Sequence, residues 1–276
     1  MSDIDPALER EYNNRALVPE HPAILERWRE SSAAFRNRAN ATLDLAYGTA
    51  PRHRLDLFHA ANPRGTVVFI HGGYWRSLDK SFFSFLAEPL MNAGLSVAAF
   101  NYRLCPDATI PSVVDDCRQA FVWLLANGGQ YNMPLKRIAL TGHSAGGHLV
   151  AMLLTTDWQR HGVDSGCIVG AVALSGVFEL APLLQCSMNA DLHLDPSMAR
   201  TMSPVHLSPR TDAPLWLSCG ADESLAFRTQ TRSMHTAWPK TAAQSDEVTG
   251  CNHFTIVDHF AQPASASQQF IHRLFP

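Results

Sequence analysis

The run Arg137-Ile-Ala-Leu-Thr-Gly-His-Ser-Ala-Gly-Gly-His-Leu-Val-Ala-Met-Leu-Leu154 decides the fold. Arg137 to Thr141 reads as a short buried strand, Gly142-His-Ser-Ala-Gly146 as a sharp turn, and Gly147 to Leu154 as a buried helix. A strand that turns straight into a helix belongs to a sheet with helical crossovers. Glycines on either side of Ser144 remove side chains that would collide in so tight a bend, and the serine hydroxyl then stands clear of the sheet.

Working outward, Thr66 to Ile70 and Leu95 to Asn101 are further short apolar runs, as expected of strands covered on both faces. Upstream, Thr42 to Gly48 and His53 to His59, with Pro51 between them, read as an opening antiparallel hairpin. A helix is expected from Ser112 to about Ala126, with Ser112 and Asp115 as its capping box and Gly128-Gly129 as its stop. Later strands fit Ile168 to Leu174, Pro214 to Cys219 and about Gln244 to Val248, with helices near Ala226 to Trp238 and Ala264 to Leu274. This alternation predicts an α/β fold: a mostly parallel sheet of about eight strands with helices on both faces.

No linker or change of composition divides the 276 residues, so one domain, 1–276, is expected. Two segments stand outside the alternation. Residues 5–38 form a charged, partly amphipathic helical leader, and residues 177–212 an irregular insert rich in Met, Leu and Pro. Ligands in such sheets bind beyond the carboxyl ends of the strands, so either segment is a candidate roof or cap.

A composition of 46% hydrophobic and 17% charged residues, with a formal charge of −3, is that of an ordinary globular chain. It carries no electrostatic footprint for nucleic acid or an anionic membrane, and points to a small-molecule substrate. Met1 to Glu11 is polar and acidic where a signal peptide needs apolar residues, and no run reaches a membrane span, so a cytoplasmic address is expected. A homodimer is compatible with the sequence, which does not decide the oligomeric state. Six cysteines without a C-x-x-C pair argue against a zinc ribbon or dithiol site and read as reduced thiols.

A serine hydroxyl needs a base within hydrogen-bond reach, and the base needs an orienting acid. In a strand–turn–helix setting these follow the serine in the order acid, then histidine. Pro214 to Cys219 ends in Gly220-Ala-Asp-Glu223, which supplies two carboxylates; loop geometry favours Asp222, with Glu223 as its rival. His253 follows the final strand and a loop, whereas His235, His259 and His272 fall in or beside helices, so His253 is the expected base. His71-Gly-Gly-Tyr-Trp75 ends the strand at Ile70; its Gly72 and Gly73, with Ala145, are the candidate oxyanion donors. Tyr74 and Trp75 are candidate substrate contacts, with core packing an equal reading for Trp75. The five-residue spacing of His143 and His148 fits no common helical ligand pair, so both read as structural and no metal is expected. No phosphate-binding or dinucleotide fingerprint follows any strand, which argues against kinases and dehydrogenases.

His71-Gly-Gly-Tyr-Trp75 together with Gly142-His-Ser-Ala-Gly-Gly-His148 resembles the α/β-hydrolase fold kynurenine formamidases (arylformamidases) and their bacterial relatives. Glu11-Tyr-Asn-Asn-Arg15 and Ser175-Gly-Val-Phe-Glu-Leu180 are similar to segments of the same group. Asn101-Tyr-Arg-Leu104 with Pro106 is shared with hormone-sensitive-lipase-like esterases, whose third glycine is replaced here by an aromatic pair. The resemblance implies Ser144 as nucleophile, Asp222 as acid, His253 as base and Gly72, Gly73 and Ala145 as oxyanion donors. It implies hydrolysis of a small aryl formamide or related amide through an acyl-enzyme, without a cofactor. A carboxylesterase and a non-catalytic binding protein on the same scaffold are the alternatives.

Overall fold

A computed structural model describes residues 4–242 and 244–276. The acidic start read at Met1 to Glu11 is therefore described from Ile4 on. Eight strands form one sheet: β1 (Ala41–Ala46), β2 (Arg54–Phe58), β3 (Gly65–Ile70), β4 (Leu95–Phe100), β5 (Ile138–His143), β6 (Ile168–Leu174), β7 (Leu215–Gly220) and β8 (Gln244–Val248). Their order is β1-β2-β4-β3-β5-β6-β7-β8. The β1–β2 and β2–β4 pairs are antiparallel, and the remaining pairs are parallel.

The leader folds as α1 (Pro6–Tyr12), α2 (Asn14–Leu17) and α3 (His21–Arg36). Crossovers contribute α4 (Ala87–Asn92), α5 (Ile110–Asn127) and α6 (Ala145–Leu154). The insert holds two short helices, α7 (Asn189–Leu192) and α8 (Pro196–Thr201), and the chain closes with α9 (Leu225–Ala237), α10 (Thr255–Phe260) and α11 (Ala266–Arg273). Among the described residues no helix is long and apolar enough to cross a membrane.

Alternation along each strand divides the core in two. In β3, Val68 and Ile70 face a cluster built with α5, α6 and α9, while Val67 and Phe69 face one built with α3, α4, α10 and α11. Helix α5 starts earlier than its sequence suggests. Thr109 is the N-cap and Ser112 its N3 partner, because Pro111 fits the first turn, where no intrahelical N–H bond is needed. Asp115 instead bonds Arg118.

The order of strands locates the site. β3 lies between β4 and β5, and the crossovers through α4 and α5 pack on opposite faces, which opens a crevice at the carboxyl ends of β3 and β5. Ile70 pairs with Gly142, so the Gly72-Gly73 turn and the Ser144 turn leave the sheet side by side. Their approach leaves no room for a side chain. A Cβ on Gly146 would stand 2.0 Å from the Ile70 carbonyl oxygen, and one on Gly142 would stand 2.4 Å from the Gly146 oxygen. Gly146→Ala is therefore expected to lower the Tm by roughly 3–10 °C, the effect of about 1–3 kcal/mol of overpacking. Gly129→Ala, with nothing within 4 Å of its added Cβ, is the control. Equal thermal melts for the two variants would contradict the packing argument.

Candidate active site

Ser144 joins β5 to α6 with φ 56° and ψ −119°, a backbone conformation that costs energy in a residue bearing a side chain. Its N–H is tied to the Leu174 carbonyl at 2.8 Å, which holds the turn against β6. Ala145 opens α6, so its N–H has no intrahelical acceptor and stands at the positive end of the helix beside the hydroxyl.

His253 approaches from the loop between β8 and α10, and its Nε2 lies 3.1 Å from the Ser144 Oγ. Its Nδ1 lies 2.8 Å from an oxygen of Glu223. A carboxylate can only accept, so Nδ1 carries the proton and Nε2 presents a lone pair to the serine hydroxyl. The other Glu223 oxygen accepts from the Gly220 N–H at 2.6 Å and from the Ser175 hydroxyl. The Glu223 side chain is fully buried, and these donors offset the loss of water around its charge.

The acid is thus a correction to the sequence reading. Asp222, favoured there, is exposed, and Glu223 occupies the position beside His253. The reason is local. A turn closed by the Glu223 N–H on the Gly220 carbonyl, at 3.2 Å, puts Asp222 on the outer corner and brings Glu223 back inward. Backbone bonds then join this turn to the histidine loop: the Asp222 N–H donates to Cys251 O at 3.0 Å, and the Ala221 N–H to Val248 O at 2.9 Å. Gly220 makes the contact possible, since a Cβ there would fall 2.0 Å from the Cys251 oxygen.

His143 supports the base from behind. It is buried, its Nε2 donates to the His253 carbonyl at 2.7 Å, and the two rings stack obliquely with centroids 4.8 Å apart. Burial, with His253 adding to it, holds the His143 imidazole well below its ordinary range, so it remains neutral. Phe227 closes the other side, its ring centroid 4.5 Å from that of His253.

Around this line lies a cavity. Gly73 and Tyr74 line it from the turn after β3, whereas Gly72 packs behind, where a Cβ would meet the His143 carbonyl at 2.8 Å. Gly73 has φ 110° and abuts the Ser77 carbonyl, so only glycine fits. Tyr74 donates its hydroxyl to the Tyr12 carbonyl at 2.6 Å, pinning the leader over the site. Trp75, a candidate substrate contact, is instead wholly buried. Its indole N–H donates to His148 Nδ1 at 3.2 Å, and His148 in turn donates to the Met202 carbonyl at 2.8 Å. That chain ties α6, the glycine turn and the insert together, a structural role for His148.

The chain matches the BD-FAE family over residues 55–238, two-thirds of its length. The chain belongs to the BD-FAE family. Within that kinship, the BD-FAE chain is similar to a kynurenine formamidase of Salmo salar, at 29% identity over 88% of this chain and 83% of the relative. A solved Silicibacter protein, provisionally assigned as a thioesterase, superposes with a TM-score of 0.85 at 33% identity, covering 97% of this chain and 98% of that one. An inhibited esterase B from Lactobacillus, at 20% identity and a TM-score of 0.71, shares the fold. This BD-FAE protein is a serine hydrolase on an α/β-hydrolase scaffold, in keeping with its kinship to kynurenine formamidases.

Both segments outside the alternation reach the cavity. The leader contributes Tyr12, Asn14, Arg15 and Trp28, and the insert Ser187 and Met188. These residues were not among the sequence candidates. Glu11-Tyr-Asn-Asn-Arg15 stood out only as a resemblance, since nothing local tells a surface helix from one folded over a distant site.

The geometry separates the two neighbouring carboxylates. With a chromogenic aryl ester, Glu223→Gln should lower kcat by about 10³–10⁴, since the amide no longer holds the imidazole in the working tautomer. Asp222→Asn should stay within about twofold of the parent, as expected of an exposed side chain. The opposite ranking would return the acid to Asp222.

Proposed function

We propose that this hydrolase cleaves small aryl formamides of the N-formylkynurenine type through a formyl-enzyme on Ser144. The observation that carries the reading is the line Ser144–His253–Glu223 opening onto a cavity whose walls include Tyr12, Trp28, Tyr74 and Phe254. Aromatic faces of this kind suit a flat aryl group. The relatives named kynurenine formamidase, one of which is 27% identical over 91% of this chain, support the same substrate class.

In the first step His253 Nε2 takes the Ser144 proton while Oγ bonds to the formyl carbon, and the carbonyl electrons move onto oxygen. The N–H groups of Ala145 and Gly73 are the donors proposed for that oxyanion, with Gly72 shaping the turn behind them. The protonated His253 then gives its proton to the departing aryl nitrogen as the C–N bond breaks. Water, deprotonated by the same imidazole, attacks the formyl ester and releases formate and the free serine. Glu223 remains ionised throughout and steadies the imidazolium.

The same groups would act on esters, which makes a carboxylesterase the second reading. The two are separated by comparing kcat/KM for N-formylkynurenine and a short-chain aryl ester. The formamide is expected to be no poorer a substrate than the ester. An ester preference of more than about a hundredfold, equivalent to about 2.7 kcal/mol in transition-state binding, would overturn the formamidase assignment.

A further inference from the structure

We infer that Arg15, with the amide of Asn14 beside it, forms a subsite for a carboxylate carried by the substrate. The inference rests on the reading of this cavity as the place where the acyl group is cleaved. Three charged side chains line it: Glu9, Arg15 and Arg76. Two are already engaged. Glu9 accepts from the Ser187 N–H at 2.7 Å, the Ser187 hydroxyl at 2.8 Å and the Asn13 amide at 3.3 Å, while Arg76 pairs with Asp191 at 2.5 Å.

Arg15 is different. Its bond to the Ser77 hydroxyl, at 3.3 Å, uses one N–H, and among the described residues no carboxylate lies within ion-pair distance of it. A guanidinium has five donors in a planar fork, a geometry that suits two carboxylate oxygens at once. The neighbouring Asn14 is 4% exposed, lines the same cavity, and leaves its amide nitrogen without a hydrogen-bond partner among the described residues. A buried donor without an acceptor is costly, and a ligand oxygen would recover part of that cost.

The charge balance agrees. Arg76 is neutralised by Asp191 and Glu9 is held by uncharged donors, so Arg15 is the lining cation left without a carboxylate among the described residues. Both residues lie on α2, just after Tyr12 at the end of α1, and Tyr12 is fixed over the cavity by the bond from the Tyr74 hydroxyl to its carbonyl and by the bond from the Gln230 amide to its hydroxyl, at 2.9 Å. The leader would then do more than cover the site. It would select substrates that are anionic at the end remote from the scissile bond.

The test compares two substrates with the same reacting group: N-formylkynurenine and N-formylkynuramine, which lacks the carboxylate. The ratio of their kcat/KM values should favour the carboxylate in the native protein and should fall about ten- to a hundredfold in Arg15→Met, mainly through KM. Arg15→Lys should recover part of the ratio, since it restores the charge but not the fork. A native ratio near one, or a ratio that Arg15→Met leaves unchanged, would overturn the subsite. If no formamide is cleaved, the formamidase reading fails separately. The same ratio is then measured with aryl acetates bearing and lacking a propionate side chain, and it decides the subsite by the same two outcomes.

Discussion

The structure depends on one close approach between backbones, that of the turn at Gly142–Gly146 against the end of β3. Everything in the site is positioned from it. With Gly146 pressed on the Ile70 carbonyl, Ser144 has nowhere to go but outward, and the Gly72-Gly73 turn is held alongside. The strained Ser144 backbone is sustained by that packing and by the bond from its N–H to Leu174. Strain of this kind persists only where the surroundings over-determine the conformation, and here two strands and a helix do so.

A second set of backbone contacts brings the remaining partners to the serine. The turn after β7 and the loop after β8 are joined through Cys251 and Val248, with Gly220 allowing their contact. Glu223 is turned inward by that arrangement and held in a buried place by a backbone N–H, a hydroxyl and the imidazole. Orientation runs from carboxylate to imidazole to hydroxyl, and His143 fixes the loop from the far side. None of the three side chains has freedom to spare, which is the condition for proton transfer without reorganisation.

Most of the sheet was legible because buried parallel strands are short, apolar and punctuated by glycine: Ile168 to Leu174 and Gln244 to Val248 match the observed strands, and the hairpin nearly so. Ser144 and His253 were legible for a different reason, since a strand–turn–helix with glycines and a loop histidine after the last strand are local patterns. The choice between Asp222 and Glu223 was not. It turns on a single bond between the Glu223 N–H and Gly220 O, and adjacent residues in a turn point opposite ways without any mark in composition. Trp75 was undecided for a similar reason, because its partner His148 lies 73 residues away. The helix at Ile110 starts two residues before Ser112 because the capping box is Thr109 with Ser112 rather than Ser112 with Asp115, two pairs of the same spacing three residues apart.

The leader is where the sequence said least and the fold says most. Its helices are polar outside and place Trp28 and Tyr12 inward, so that a segment outside the sheet supplies much of the substrate side of the cavity. The scaffold thus divides its work: strand ends hold the reacting groups, and the added helices set what reaches them. The central claim, that Ser144, His253 and Glu223 act as one proton-relaying line, is tested most directly by covalent labelling with a fluorophosphonate followed by peptide mapping. One adduct is predicted, on Ser144, forming at least about a hundredfold more slowly in His253→Ala and in Glu223→Ala. An adduct on another residue, or labelling of Ser144 at an undiminished rate in both variants, would contradict the account.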